Sequence, residues 1–267
     1  MSKFKFGFIG CGNMGGALAT AAAKALSAGS LAVCDTDAEK VKRIAKDTGA
    51  VVSSAKEIAG NSDYVFLAVK PQGLAALFEE ITPIFRARKD RFVIVSMAAG
   101  TAVARIRELA GCDLPIIRIM PNTPVLVGEG MIVYTAENAT DEEINGFLSG
   151  LASAGRFDRI PERLIDAAGA LSGCGPAFVY LFAEALADGG VECGLPREQA
   201  LLYAAQTLEG AAKMLLETHA HPAALKDAVC SPGGTTIAGV HALENSAFRG
   251  AVMGAVKAAF DKTAKLK

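Results

Sequence analysis

Short apolar runs alternate with amphipathic ones through the first half of the chain. Phe4–Ile9, Ser30–Cys34, Val51–Val52, Tyr64–Val69, Phe92–Ser96, Ile116–Met120 and Met131–Tyr134 read as strands, with a last one near Arg156. Between them, Met14, Ala17, Leu18, Ala21, Ala22 and Ala25 mark one face of a helix that opens at Asn13. Asp37–Thr48 reads as a charged helix closed by Gly49. A helix follows Gly100 and runs to about Leu109, and another starts at Asp141. This alternation is the signature of βαβ units around a parallel sheet.

After Pro161 the strand signals stop. Pro176–Leu186 is apolar most of the way round and reads as a buried helix entered from a loop. Pro196 opens a long helix with Leu201, Ala204, Ala205, Leu208, Ala212 and Leu215 on one face, and His221-Pro222 breaks it. One more helix begins after Ser231-Pro232-Gly233-Gly234, and a final one spans about Ala247 to Ala264. The pattern predicts an α/β fold: a Rossmann-type parallel-sheet domain over residues 1–160 and an all-helical domain over residues 161–267. Helices this apolar need more cover than one chain supplies, which predicts packing against a second subunit.

Composition narrows the classes. The 267 residues carry a formal net charge of −1, so there is no electrostatic footprint for nucleic acid or an anionic membrane. Two uncharged runs, Phe6–Ala23 and Ala167–Ala183, stand out. The first carries Asn13 and several glycines and has no cleavage-like polar region. The second is short for a bilayer span. The expectation is a cytoplasmic protein with no membrane or nucleic-acid partner. The six cysteines are Cys11, Cys34, Cys112, Cys174, Cys193 and Cys230, and none forms a CxxC pair. With only three histidines, His219, His221 and His241, no zinc spacing exists and no metal is expected.

Five segments carry chemistry. Gly10-Cys11-Gly12-Asn13-Met14-Gly15 follows a strand and opens a helix, the context in which GxGxxG cradles a pyrophosphate. Asp35 follows about twenty residues later, where an acid suits the 2′-OH of a nucleotide ribose, and Thr36 comes next. NADH is favoured on that ground and NADPH stays open. Ala68-Val69-Lys70-Pro71, then Met97-Ala98-Ala99, then Pro121-Asn122 close three strands on one predicted edge, the place where ligands sit in open sheets. Ser172-Gly173-Cys174-Gly175-Pro176 and Gly233-Gly234-Thr235-Thr236 are glycine turns ahead of helices. Each is either a helix cap or an anion site of carboxylate size. No histidine lies in these motifs, so no general base of the alcohol-dehydrogenase kind is evident. Reduction of a protonated imine needs less.

Together these segments resemble the pyrroline-5-carboxylate reductase family over essentially the whole chain. The resemblance runs through Phe8–Met14, Ala68–Gln72, Met120–Pro124, Leu171–Ala177, Ala187–Val191, Gly194–Pro196, Leu225–Asp227 and Ser231–Ile237. It implies NADPH- or NADH-dependent reduction of the C=N bond of 1-pyrroline-5-carboxylate to proline, a cyclic imino acid as the small-molecule substrate, and a homodimer through the helical domain, with decamers built from dimers. It implies cofactor contacts from Gly10, Cys11, Gly12, Asn13, Met14, Asp35, Thr36, Ala68, Val69, Lys70, Pro71, Met97, Ala98, Ala99 and Asn122. It implies a substrate carboxylate held by Ser172, Gly173, Cys174, Gly175 and Pro176 with Gly233, Gly234, Thr235 and Thr236. Thr236 is the hydroxyl it places nearest the imine nitrogen. The chain departs from the family pattern at Cys174, where Ser is usual, at Asp35-Thr36-Asp37, and at Ala55, where Asn is frequent. Two other readings remain: a related dehydrogenase of hydroxy acids using Lys213 or Lys226, and a non-catalytic NAD(P)-binding protein.

Overall fold

The computed structural model describes residues 3–265. Among them Phe4–Ile9 (β1), Leu31–Cys34 (β2), Val51–Val52 (β3), Ser62–Leu67 (β4), Val93–Ser96 (β5), Ile116–Met120 (β6), Gly130–Glu137 (β7) and Gly155–Arg159 (β8) form one sheet. The order is β3-β2-β1-β4-β5-β6-β7-β8. Pairing is parallel from β3 to β6, antiparallel between β6 and β7, and parallel again between β7 and β8. Register puts Ile9 beside Cys34 and Leu67, and Leu67 beside Ser96. The first strands therefore end on one edge, as the sequence predicts.

Asn13–Ala23 (α1), Ala38–Thr48 (α2), Ala55–Asn61 (α3), Leu74–Ala87 (α4), Val103–Ala110 (α5) and Asp141–Gly150 (α6) accompany the sheet. Local chemistry sets their ends. The Asp37 carboxylate accepts the Glu39 and Lys40 N–H groups to start α2, and Gly49 at φ +70° ends it. Ser54 with Glu57, and Thr140 with Glu143, form capping boxes on α3 and α6. Alternate strand residues feed two buried clusters. Phe6, Phe8, Phe66 and Phe147 belong to one, and Phe4, Ile9, Leu67, Phe78 and Phe85 to the other. Phe8 and Phe66 stack with ring centroids 4.1 Å apart. Each such side chain contributes about 1.5–3 kcal/mol by leaving water, so the sheet edge that carries the candidate site stands on a rigid base.

The structure departs from the sequence reading in several places. Helices α3 and α4 were not expected. α3 buries only Ile58 and Ala59, too few for a periodic signal. Inside α4, Pro83 reads as a break, but it sits on the exposed face, where a missing N–H is tolerated. The third departure is the Ser172–Pro176 segment, expected as a loop. Glu162–Ala168 (α7) runs on through a π-helical turn, Gly169–Gly173, into Gly175–Glu192 (α8). The run Glu162–Glu192 is long and apolar enough to cross a membrane by length and composition.

Among the described residues, 3–174 with 259–265 pack as one compact unit, and Gly175–Ala258 as a second. The second holds α8, Arg197–Thr218 (α9), Pro222–Ala228 (α10), Thr235–Asn245 (α11) and most of Phe248–Ala264 (α12). α10, also unexpected, starts where the His221 ring nitrogen accepts the Ala223 N–H at 3.2 Å. The apolar helix read as buried is exposed in the single chain: Tyr180 is 64 % and Leu181 67 % accessible. The buried cluster of this unit is Ala187, Ala200 and Ala204. Three alanine side chains supply little burial, so these helices need the cover of another chain.

Candidate cofactor and substrate sites

The glycine turn is built as its residues require. β1 ends at Ile9, and Gly10 turns the chain at φ +110°, with the Ala68 carbonyl oxygen 2.5 Å from where a Cβ would stand. Only glycine fits there. The Gly10 N–H donates to the Cys34 carbonyl, and the Ala68 N–H to the Ile9 carbonyl, both at 2.8 Å. Gly12 caps the N-terminus of α1 with extended backbone, no side chain caps that helix, and open space lies where a Cβ would stand. Asn13 and Met14 begin the helix, Asn13 exposed and Met14 half-buried. A helix N-terminus left open in this way presents N–H groups and a partial positive charge to an anion.

Asp35 locks this turn. One carboxylate oxygen accepts the Cys11 N–H at 2.6 Å, and the other accepts the Asp37 N–H at 2.9 Å and the Thr36 hydroxyl at 3.3 Å. Burial works against ionisation, but the N–H groups of Asp37 and Cys11 outweigh it and hold the carboxyl below the usual carboxylate range. Two cations of α2 are held by acids of their own segment: Lys40 pairs with Asp37 at 3.1 Å and Lys42 with Glu39 at 2.8 Å. Burial, then the Asp35 charge, pushes the Cys11 thiol up to about 11. Burial pushes that of Cys34 up to about 12, so both stay protonated.

A cleft of about 630 Å³ opens along this edge. It brings together Gly10, Gly12, Asp35, Thr36, Ala68, Val69 and Lys70, all singled out from sequence, and Pro71 follows in a short 3-10 turn. Ser53, Ser54 and Glu80 also line it and were missed. The S-x-x-E pattern of Ser54–Glu57 was the signal, since it announces a helix starting at the cleft. Ala55 lines the cleft where the family often has Asn. Met97, Ala98 and Ala99 follow β5, with Ala98 buried and its N–H on the Ser96 hydroxyl at 3.4 Å.

At the next strand end the chain turns inward. Asn122 is 8 % exposed. Its Nδ2 donates to the Ser172 carbonyl at 3.0 Å and its Oδ1 accepts the Met131 N–H at 2.9 Å. The Ser172 hydroxyl donates to the Ala168 carbonyl and the Cys174 N–H to the Gly169 carbonyl. This corrects the reading of Ser172–Pro176 as a loop presenting free N–H groups at a helix start. α8 does start at Gly175, but it follows directly on the π-helical turn, so the segment is not an open loop and the Cys174 N–H is already bonded. Ser172, Gly173, Gly175 and Pro176 are half-buried and Cys174 is exposed.

The other glycine turn does open a helix. Gly233 takes φ +66°, and the Gly234 N–H donates to the Ser231 carbonyl at 3.0 Å. Gly234 caps α11 with no side-chain cap, and Thr235 and Thr236 form its exposed first turn. Gly233 and Gly234 line a hollow of about 520 Å³ with Lys226, Ile237, His241 and Glu244. His241 had been set aside because it lies in no motif. Helical spacing explains its place, since it stands one turn after Ile237 on the same face. Its ring nitrogen lies 3.0 Å from the Asn245 amide nitrogen.

Known proteins match both halves. Residues 162–266 match the family described as pyrroline-5-carboxylate reductase dimerisation, and residues 5–100 the one described as NADP oxidoreductase, coenzyme F420-dependent. The pyrroline-5-carboxylate reductase of Escherichia coli (strain K12) is 42 % identical over 266 residues, covering 98 % of each chain. That of Glycine max is 46 % identical over 217 residues, 81 % of this chain and 78 % of that one. Among solved structures, a Plasmodium falciparum pyrroline carboxylate reductase with NADP bound superposes with a TM-score of 0.87 at 34 % identity, covering 99 % of this chain and 98 % of that one. One from Coxiella burnetii gives 0.88 at 30 % identity over 99 % of each. With a glycine turn under Asp35, an open helix start at Gly234 and likeness along its full length, the chain belongs to the pyrroline-5-carboxylate reductase family.

Proposed function

We propose that the chain reduces the C=N bond of 1-pyrroline-5-carboxylate to give proline, with NADH or NADPH as reductant. The observation that carries this is the pairing of an uncapped, glycine-turned α1 with Asp35 on the carboxyl edge of the sheet, in a chain that matches such reductases end to end. The residues fit a dinucleotide. Gly12 leaves room, α1 offers its N-terminus to the pyrophosphate, and the carboxylate of Asp35 retains lone pairs for a ribose hydroxyl. Thr36, Ala68, Val69, Lys70 and Pro71 would flank the nucleotide, and Met97, Ala98 and Ala99 the nicotinamide end. When bound, the nicotinamide supplies the hydride.

The chain's own work is then to bind, orient and protonate. Gly233, Gly234, Thr235 and Thr236 would take the substrate carboxylate at the start of α11, where no side chain competes. Ser172, Gly173, Cys174, Gly175 and Pro176 would contact the substrate from a π-helical turn, a feature often found at functional positions. The Thr236 hydroxyl would hydrogen-bond the imine nitrogen, which must gain a proton as its carbon gains hydride. Threonine is a weak acid, so its part is to orient and relay, and positioning supplies most of the rate.

The homo-oligomer forms through the helical half. We further propose the functional boundary near residue 160, decamers assembled from dimers, and a cytoplasmic location away from membranes. The free state of all six thiols supports a reducing compartment. The residue-level test is Thr236→Ala in an assay that follows proline. The expected loss in kcat is roughly ten- to a thousand-fold, reaching from below into the lower half of the range for a positioned proton donor because threonine is weak. An unchanged kcat removes Thr236 from the reaction.

A further inference from the structure

One face of β6 and the residue just past it meet one face of the helical run that starts at Glu162. The Arg118 guanidinium donates to Glu162 Oε1 at 3.0 Å and Asp166 Oδ1 at 2.7 Å. A Cβ on Gly169 would stand 2.7 Å from Met120 Cε, and one on Gly173 4.0 Å from it. Asn122 Nδ2 reaches the Ser172 carbonyl. Strand residues two apart advance about 6.7 Å and helix residues four apart about 6 Å. The two patterns therefore stay in step over Arg118, Met120 and Asn122.

The last contact differs from the others. In an α-helix the Ser172 carbonyl would accept the N–H of residue 176. Residue 176 is proline, which has none. The Asn122 amide donates to that Ser172 carbonyl. Its other end is held by the Met131 N–H of β7. One partner is a carbonyl and the other an N–H, so only one orientation of the amide satisfies both. The side chain is thus a strut from the sheet to the π-helical turn, with its amide oxygen and one amide N–H engaged within the protein.

We propose that Asn122 is a positioning residue that fixes the Gly169–Gly173 turn, and with it the substrate-contacting Ser172–Pro176 segment, and that it is not a cofactor contact. This rests on the reading that the segment touches the substrate.

Asn122→Asp tests it. The carboxylate keeps an acceptor for Met131 but loses the donor to Ser172 and sets a negative charge against that carbonyl. The expected result has three parts. The KM for 1-pyrroline-5-carboxylate rises at least tenfold. The Kd for NADH, read by fluorescence, stays within twofold. Amide deuterium exchange quickens across residues 169–178 but not across the glycine turn. A weakened NADH Kd with unchanged KM would assign Asn122 to the cofactor and overturn the proposal, as would no change in any readout. Should Asn122→Asp not fold, Gly169→Ala presses on the same turn from the other side. It meets only the Met120 side chain, from Cγ to Cε, and favours helix. A KM at least threefold higher with unchanged NADH Kd is expected, and an unchanged KM overturns the proposal. If the wild-type protein does not reduce this imine, the reaction assignment fails. The exchange readout with NADH Kd then decides the strut by itself, faster exchange at constant Kd supporting it and constant exchange overturning it.

Discussion

Asp35 joins two chain crossings at the cofactor edge. Its carboxylate holds the Cys11 N–H of the glycine turn and the Asp37 N–H at the start of α2, so one side chain both shapes the turn and puts a negative charge beside the proposed ribose position. A 2′-phosphate there would meet Asp35 and Asp37, while Lys40 and Lys42 are drawn to Asp37 and Glu39. Asp35→Asn keeps one acceptor oxygen and removes the charge. The NADPH-to-NADH ratio of kcat/KM is expected to rise roughly tenfold, equivalent to about 1.4 kcal/mol, in paired steady-state assays. A constant ratio would confine Asp35 to shaping the turn. Spacing from Gly15 made the place of Asp35 at the cleft legible. Its bond to Cys11, across 24 residues, was not legible, because nothing local in either segment announces it. His241 was missed for a related reason: it belongs to a hollow made by a helix face and a turn, not to a motif.

Among the elements, β6 links the sheet to the helices that follow. Arg118 is 4 % exposed, and its carboxylate partners, Glu162 and Asp166, stand one turn apart on α7. Glu162 also accepts the Val103 N–H at 2.7 Å, tying in α5. Arg118→Leu strips both carboxylates of the guanidinium while they remain largely enclosed. Unfolding free energy is expected to fall by about 3 kcal/mol, seen as a lower urea midpoint at fixed protein concentration. A shift under about 0.5 kcal/mol, the range of ordinary surface substitutions, would contradict this account of β6. The strands were legible because apolar runs between turn residues report burial directly. The π-helical turn was not. Ser172, Gly173, Gly175 and Pro176 locally favour a loop, and the Asn122 amide that reaches the Ser172 carbonyl comes from 50 residues away.

At the scale of the molecule, the sheet half carries its own core, and the helical half carries Ala187, Ala200 and Ala204 as its buried cluster. The second half is therefore stable as part of an oligomer, which its exposed apolar helix faces imply and its match to a dimerisation family bears out. Stability should also depend on pH at both ends. The Arg88 hydrogen bond holds the Asp90 carboxyl low, and the Ser54 N–H does the same for Glu57. Such depressed groups stabilise fully above the ordinary carboxylate value of about 4 and lose that contribution as pH falls through their folded values. The thiols of Cys11 and Cys34 run the other way. Raised to about 11 and about 12, they contribute fully below the ordinary thiol value of about 8.5 and less as pH climbs past it. Urea midpoints are expected to be highest between pH 5 and 8 and to fall on both sides. A midpoint that stays level up to pH 10 would contradict the buried, protonated thiols. The most direct test of the whole account is oxidation of NADH and NADPH by the purified protein with 1-pyrroline-5-carboxylate, the product followed as proline. The account predicts turnover with proline formed one for one with cofactor oxidised. Folded protein that binds either cofactor yet forms no proline would contradict it.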